Sequence, residues 1–210
     1  MLAVIDYGVG NLFSLVSSLR YLGFDAMLTD DTEVISRCGK LILPGVGAFR
    51  DAAAKLHASG LDEVVKSRAR AGTPLLGICL GMQLLFEKSL ENGCYEGLSL
   101  IEGTVGPLSG DVPEGLKIPQ IGWNALTFPE DKPKSAIYKY TKQGDCVYFV
   151  HSYYASCPES VVSAYTEYGI PVTASAEYKN IYGTQYHPEK SGRTGLNILR
   201  AFCELEDAVI

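Results

Sequence analysis

Cys79 lies between two glycines in Gly77-Ile78-Cys79-Leu80-Gly81, where an apolar run gives way to a helical pattern. Far down the chain stands His187-Pro188-Glu189. Together these residues supply a nucleophile, a base and a carboxylate to orient the base. The flanking glycines permit a sharp strand-to-helix turn that pushes the sulfur out at the C-terminal edge of a sheet, the cysteine counterpart of the Gly-x-Ser-x-Gly elbow. A helix starting near Leu80 puts its positive end beneath the sulfur, which favours thiolate. It also leaves the Leu80 N–H free to meet an oxyanion. Taken alone, the pattern also suits a buried cysteine at a tight helix entry, and His-Pro-Glu also suits a loop with a capping carboxylate. The combination favours the triad.

The chain has three histidines, His57, His151 and His187. His57 sits in a polar stretch and reads as a surface residue. His187 follows the strand-like Tyr182–Tyr186, and Pro188 keeps the local backbone extended, so Glu189 can reach back to the imidazole. Pro44-Gly45-Val46-Gly47 is a second glycine loop at a strand end. It reads either as a plain turn or as a flexible strand whose amides complete an oxyanion hole. It lacks the Gly-Lys-Ser/Thr ending of a phosphate loop, and Gly8-Val9-Gly10-Asn11-Leu12-Phe13 fails the dinucleotide pattern at its last position. No cofactor follows from either, and no metal ligand set is evident.

The elements that must position these residues are legible as alternating strands and helices. Strands are expected at Leu2–Ile5, Asp25–Leu28, Lys40–Leu43 and Pro74–Ile78. Helices are expected from Leu12 to Leu22, from Ala48 to about Ala58, over Leu61–Ala71 and from near Leu80. After Gly97 the texture becomes rich in Val, Ile, Tyr and Thr. Strands are expected at Ser99–Leu108, Lys117–Thr127, Ala136–Tyr140, Cys146–Ser156, Val161–Tyr168, Val172–Tyr178 and Tyr182–Tyr186, then a helix over Arg193–Leu205. The pattern implies an α/β fold: a mostly parallel sheet with helices on both faces, and an antiparallel strand insertion in the C-terminal half. With no repeat and no long linker, residues 1–210 read as one domain.

At 210 residues and 47% hydrophobic content the chain can build a sizeable core; a domain this size buries roughly 70% of its unfolded surface. A net charge of −6 without a basic cluster argues against nucleic acid as the main partner. No apolar run approaches the ~20 residues that span a bilayer, and the N-terminus lacks a basic leader segment. The six cysteines show no Cys-x-x-Cys spacing. A reducing cytoplasmic setting is expected, with five of them serving as small buried hydrophobes.

The set Asp6–Leu12, Pro44–Phe49, Gly77–Gln83, Gly122-Trp123-Asn124 and His187–Ser191 resembles the triad (class I) glutamine amidotransferases. Within them it is similar to the glutaminase subunits of imidazole glycerol phosphate synthase. The likeness runs from about Leu2 to Phe202, and Ile121 stands where that group often has methionine, a volume-similar change. It implies a flavodoxin-like fold and hydrolysis of glutamine to glutamate and ammonia. A separate (β/α)8-barrel cyclase subunit would receive the ammonia. The products would be imidazole glycerol phosphate and aminoimidazole carboxamide ribonucleotide, in histidine biosynthesis.

By the same resemblance Cys79, His187 and Glu189 are the triad, and Val46 and Leu80 are the oxyanion donors. Gly47, Gln83, His151, Ser152 and Tyr153 contact the substrate. Trp123 and Asn124 face the partner, although the strand-like setting of Trp123 also suits a core anchor. A flip of the Gly45–Val46 peptide would gate turnover, with Gly45 and Gly47 absorbing the dihedral change. No phosphate loop or acceptor domain is evident, so the acceptor is expected on the partner. Competing readings are a glutaminase serving anthranilate, guanylate or pyridoxal phosphate synthesis, a stand-alone γ-glutamyl cysteine hydrolase, and a non-catalytic binding module on this fold. The Gly-Gly-Glu-Ser segment usual in pyridoxal-type glutaminases is absent.

Overall fold

The structure, a computed structural model, describes residues 1–206. Its first part runs β1 (Leu2–Ile5), α1 (Leu12–Tyr21), β2 (Ala26–Thr29), α2 (Thr32–Ser36), β3 (Lys40–Leu43), α3 (Phe49–Ala58), α4 (Leu61–Arg70), β4 (Leu75–Ile78) and α5 (Leu80–Leu85). The remainder runs β5 (Lys88–Ser89), β6 (Tyr95–Glu96), β7 (Thr104–Pro107), β8 (Gln120–Ala125), β9 (Cys146–His151), β10 (Tyr153–Ser156), β11 (Val162–Glu167), β12 (Pro171–Tyr178), β13 (Ile181–Thr184) and α6 (Gly192–Cys203).

Seven strands form the main sheet in the order β11-β12-β13-β4-β3-β1-β2. The pairings from β13 to β2 are parallel, while β12 runs antiparallel to both its neighbours. The two-residue side-chain period of a strand divides its apolar residues between two cores. Ala3, Ile5, Leu41, Leu43 and Leu75 pack with Phe49, Leu56, Leu61 and Val65 of α3 and α4. Leu2, Val4, Ile42, Leu76 and Ile78 pack with Leu15 and Leu19 of α1 and Ile198, Leu199 and Phe202 of α6. Helices thus cover both faces, as the parallel pattern requires. The other strands form a four-stranded sheet (β10-β7-β5-β6) and a separate ribbon, β8–β9.

Three expected strands change, and one helix appears that the pattern did not reveal. The strand expected at Ala136–Tyr140 is a short 3-10 turn, Ala136–Tyr138. The Tyr138 N–H bonds locally to the Ser135 carbonyl at 3.0 Å rather than to a neighbouring strand. Only Thr104–Pro107 of Ser99–Leu108 is strand, because the amides of Leu98, Leu100 and Ile101 instead cap the carbonyls of Leu84 and Leu85 at the end of α5. The run Cys146–Ser156 divides at Ser152 into β9 and β10, which belong to different sheets. Helix α2, with Asp31 accepting from the Glu33 and Val34 amides as its cap, is too short for periodicity to reveal. Among the five cysteines expected to be buried, Cys94 and Cys146 are exposed and Cys157 is half-buried. Among the described residues no helix is long and apolar enough to cross a membrane.

Candidate active site

Cys79 joins β4 to α5 with φ 55° and ψ −111°. A non-glycine residue in this region is strained, and such strain gathers at functional sites. The elbow is tight because α5 lies directly on the sheet. A Cβ added at Gly81 would stand 1.8 Å from the Leu43 carbonyl oxygen, and one at Gly77 would stand 2.7 Å from the Gly81 carbonyl oxygen. Both glycines are therefore demanded by space. The Cys79 N–H donates to the Thr184 carbonyl at 2.7 Å, so the elbow is tied to the end of β13. Leu80, first residue of its helix, has no acceptor within that helix for its N–H.

The register of β13 on β4 sets Thr184 beside Ile78, and three residues later the chain presents His187 to the elbow. Its imidazole is 2% exposed, and its Nδ1 lies 2.8 Å from Glu189 Oε1, whose side chain is 3% exposed. Glu189 reaches back from a single 3-10 turn, Pro188–Lys190. The Tyr148 carbonyl accepts from the His187 N–H at 3.0 Å, and the Ser191 hydroxyl donates to the His187 carbonyl at 2.6 Å. Burial disfavours the His187 imidazolium, but Cys79 and Glu189 outweigh it and raise the pKa to about 9. Nε2 meets no hydrogen-bond partner among the described residues, which leaves it free for proton transfer with the neighbouring Cys79.

A cavity of about 400 Å³ opens over the sulfur. Val46, Gly47, Leu80, Gln83, His151, Ser152 and Tyr153 all line it, together with Cys79 and His187. The Tyr153 carbonyl organises one wall, accepting from Gln83 Nε2 at 3.0 Å and from His151 Nδ1 at 2.9 Å. The second bond assigns the His151 proton to Nδ1. Burial and the neighbouring His187 lower its pKa to about 4, so a neutral ring presents an unpartnered Nε2.

Trp123 and Asn124 do not reach this cavity. Trp123 is 55% exposed, which removes the core reading, and packs edge-on against Tyr148. Asn124 accepts from Gln120 Nε2 at 3.1 Å and donates to the Glu167 carbonyl at 3.4 Å, bracing the ribbon.

Sequence reasoning missed four residues. Glu91 and Pro119 line the cavity, and Glu91 Oε2 caps α3 by accepting from the Phe49 N–H at 2.7 Å. Nothing in its sequence neighbourhood signals this, because the contact spans 42 residues of chain. Lys190 also lines the cavity, and its place directly after His-Pro-Glu was the available signal. Gln185 is wholly buried beneath the sulfur. Among the described residues no cluster of three or more His, Cys, Asp or Glu side chains is placed to hold a metal ion.

Residues 3–205 match the glutamine amidotransferase class-I family. The chain is 50% identical to the imidazole glycerol phosphate synthase subunit HisH of Caldanaerobacter subterraneus subsp. tengcongensis, covering 98% of each chain. It is 45% identical to the subunit of that name from Methanothermobacter thermautotrophicus, again over 98% of each. Among solved structures, a glutamine amidotransferase superposes with TM-score 0.74 at 18% identity, covering 96% of this chain and 97% of that one. The glutaminase domain of Trypanosoma brucei CTPS superposes with TM-score 0.63 at 14% identity, covering 98% and 94%. At such identities the superpositions establish the fold, while the family match and the full-length relatives establish kinship. The chain belongs to the class-I glutamine amidotransferases.

Proposed function

We propose that this chain is the glutaminase subunit of an imidazole glycerol phosphate synthase, acting in L-histidine biosynthesis. It hydrolyses L-glutamine to glutamate and ammonia. The ammonia passes to a separate (β/α)8-barrel cyclase subunit that makes imidazole glycerol phosphate and aminoimidazole carboxamide ribonucleotide. The observation that carries this reading is the 50% identity to a HisH subunit over 98% of both chains. A single domain over residues 1–210, acting in the cytoplasm without a cofactor, belongs to the same proposal.

The geometry supports the following steps. Glutamine enters the cavity with its side-chain amide over Cys79. Glu91, the carboxylate lining that wall, suits the substrate's ammonium group. Gly47 and the His151-Ser152-Tyr153 segment border its amino-acid end, and Gln83 meets the amide. With the Cys79 proton held on His187, whose pKa is raised to about 9, the sulfur attacks the amide carbon. The oxyanion is met by the N–H groups of Leu80 and Val46, each such donor being worth roughly 10²–10³ in rate. Collapse expels ammonia, to which His187 returns the proton, and leaves a thioester. His187 then draws a proton from water, whose attack releases glutamate and restores the thiol. Glu189 keeps the imidazole in the tautomer that leaves Nε2 available for each transfer. Trp123 and Asn124 face the cyclase subunit.

Glutamate release is the test, followed after mixing the chain with a histidine-pathway cyclase, with and without the acceptor nucleotide. Release that rises with both partners present is expected, as is labelling of Cys79 by an electrophilic glutamine analogue. Turnover of γ-glutamyl peptides without any partner would instead identify a stand-alone hydrolase.

A further inference from the structure

Gln185 takes no part in those steps, yet it is wholly buried beneath them. A buried amide is costly unless its ends are satisfied, and those of Gln185 are directed at two working residues. The order of contacts fixes its orientation. The Tyr153 carbonyl can only accept, so Gln83 must turn its amide nitrogen toward it, at 3.0 Å. The other N–H of that nitrogen points at Gln185, 3.1 Å away, which must therefore offer its oxygen. The Gln185 amide nitrogen is left facing Cys79 Sγ at 3.8 Å. The Gln185 backbone N–H is anchored on the Ala174 carbonyl of β12 at 2.9 Å, and the preceding carbonyl, that of Thr184, holds the Cys79 N–H. Main chain and side chain thus grip the elbow from the same strand end.

We propose that Gln185 is a positioning residue linking the substrate-amide contact to the nucleophile. Its nitrogen donates to the Cys79 thiolate. Its oxygen holds Gln83 so that the Gln83 carbonyl oxygen remains free for the amide of glutamine. The inference rests on reading Cys79 as the nucleophile. The titratable groups that act on that sulfur are Tyr7, in the loop after β1, and His187, which Glu189 and His151 face in turn. Gln185 is uncharged at every pH, so its contribution separates from theirs as a displacement of the Cys79 profile.

The test uses the complex with a cyclase subunit and reads two quantities. One is the pH dependence of Cys79 alkylation by iodoacetamide, followed by peptide mass because the exposed Cys94 and Cys146 can also react. The other is the division of the effect between kcat and KM for glutamine. Gln185→Glu keeps an oxygen for Gln83 but turns an acceptor toward the sulfur. It is expected to slow alkylation near pH 7 about tenfold, the scale of a hydrogen bond to a charged group, to lower kcat similarly and to leave KM within about twofold. Gln185→Met, similar in volume but without the amide, is expected to slow alkylation likewise and to raise KM severalfold. If both substitutions prevent folding, Gln83→Leu reports from the far end of the relay, with slower alkylation expected. Alkylation profiles that superimpose on the wild type in any folded variant would overturn the proposal. Alkylation needs no glutamine, so this result is distinct from failure of the glutaminase reading, in which the wild-type complex releases no glutamate.

Discussion

The Tyr7 hydroxyl donates to the Pro44 carbonyl at 2.8 Å, tying the loop after β1 to the glycine loop beside the sulfur. A Cβ on Gly45 would stand 2.7 Å from that hydroxyl and 2.8 Å from the Gly81 nitrogen, whereas one on Gly47, at φ +98°, would meet open space. Gly45 is therefore small because it is packed, and Gly47 has the room to turn. The proposed peptide flip should hinge chiefly at Gly47. Gly45→Ala should lower stability by about 1–3 kcal/mol through overpacking, and Tyr7→Phe by about 1 kcal/mol through the lost hydrogen bond. Gly47→Val should cut partner-stimulated glutaminase while glutamine binding stays measurable. Melting curves, calorimetry and glutamate release check these outcomes; high basal activity in the isolated wild-type chain, unchanged by partner and acceptor, would show that no such gate exists.

Cys79→Ser should abolish glutamine hydrolysis, since a serine hydroxyl is far harder to ionise than a thiol. The complex should still cyclise its acceptor when ammonium salts are added. Glutamate release and ammonium-dependent cyclisation, measured on one preparation, separate the two activities.

The two buried histidines predict opposite pH effects. His187 has a pKa raised from 6.5 to about 9, so its stabilising contribution is complete below about pH 6.5 and disappears as pH rises toward 9. His151 is lowered from 6.5 to about 4, so its neutral form stabilises the fold above about pH 6.5, and that contribution is lost as pH falls toward 4. Glu189→Gln removes the carboxylate that raises His187 and should move its titration downward. Imidazole NMR titrations of the wild type and Glu189→Gln give both values directly, and a His187 midpoint unmoved by the substitution would refute this account.

Trp123→Ala should weaken assembly with the cyclase by at least 1 kcal/mol, as loss of a central aromatic contact does, and leave the melting temperature of the isolated chain nearly unchanged, because the ring is 55% exposed. Isothermal titration against the cyclase and thermal melting make the comparison. A large fall in melting temperature with binding intact would return Trp123 to a structural role.

What was legible in the sequence is what local pattern encodes. Lys40–Leu43 is a strand with the expected limits because a short apolar run between a glycine and a proline has few other uses. The Cys79 elbow announced itself through glycines that the helix-on-sheet packing requires. The turn at Ala136–Tyr138 and the capping role of Leu98–Ile101 were illegible because distant or irregular partners satisfy those backbone groups. Glu91 and Gln185 were missed for a related reason: each acts through a contact with residues far along the chain.

The ribbon of β8 and β9 pairs Trp123 with Tyr148, and the carbonyl of Tyr148 holds the His187 main chain. An outward-facing indole is thus one cross-strand step from the residue that seats the base. His151, at the inner end of the same strand, belongs to the cavity wall. A partner docked on the indole would therefore lie one cross-strand pair from the backbone that seats the base, with no path through the core of the large sheet between them.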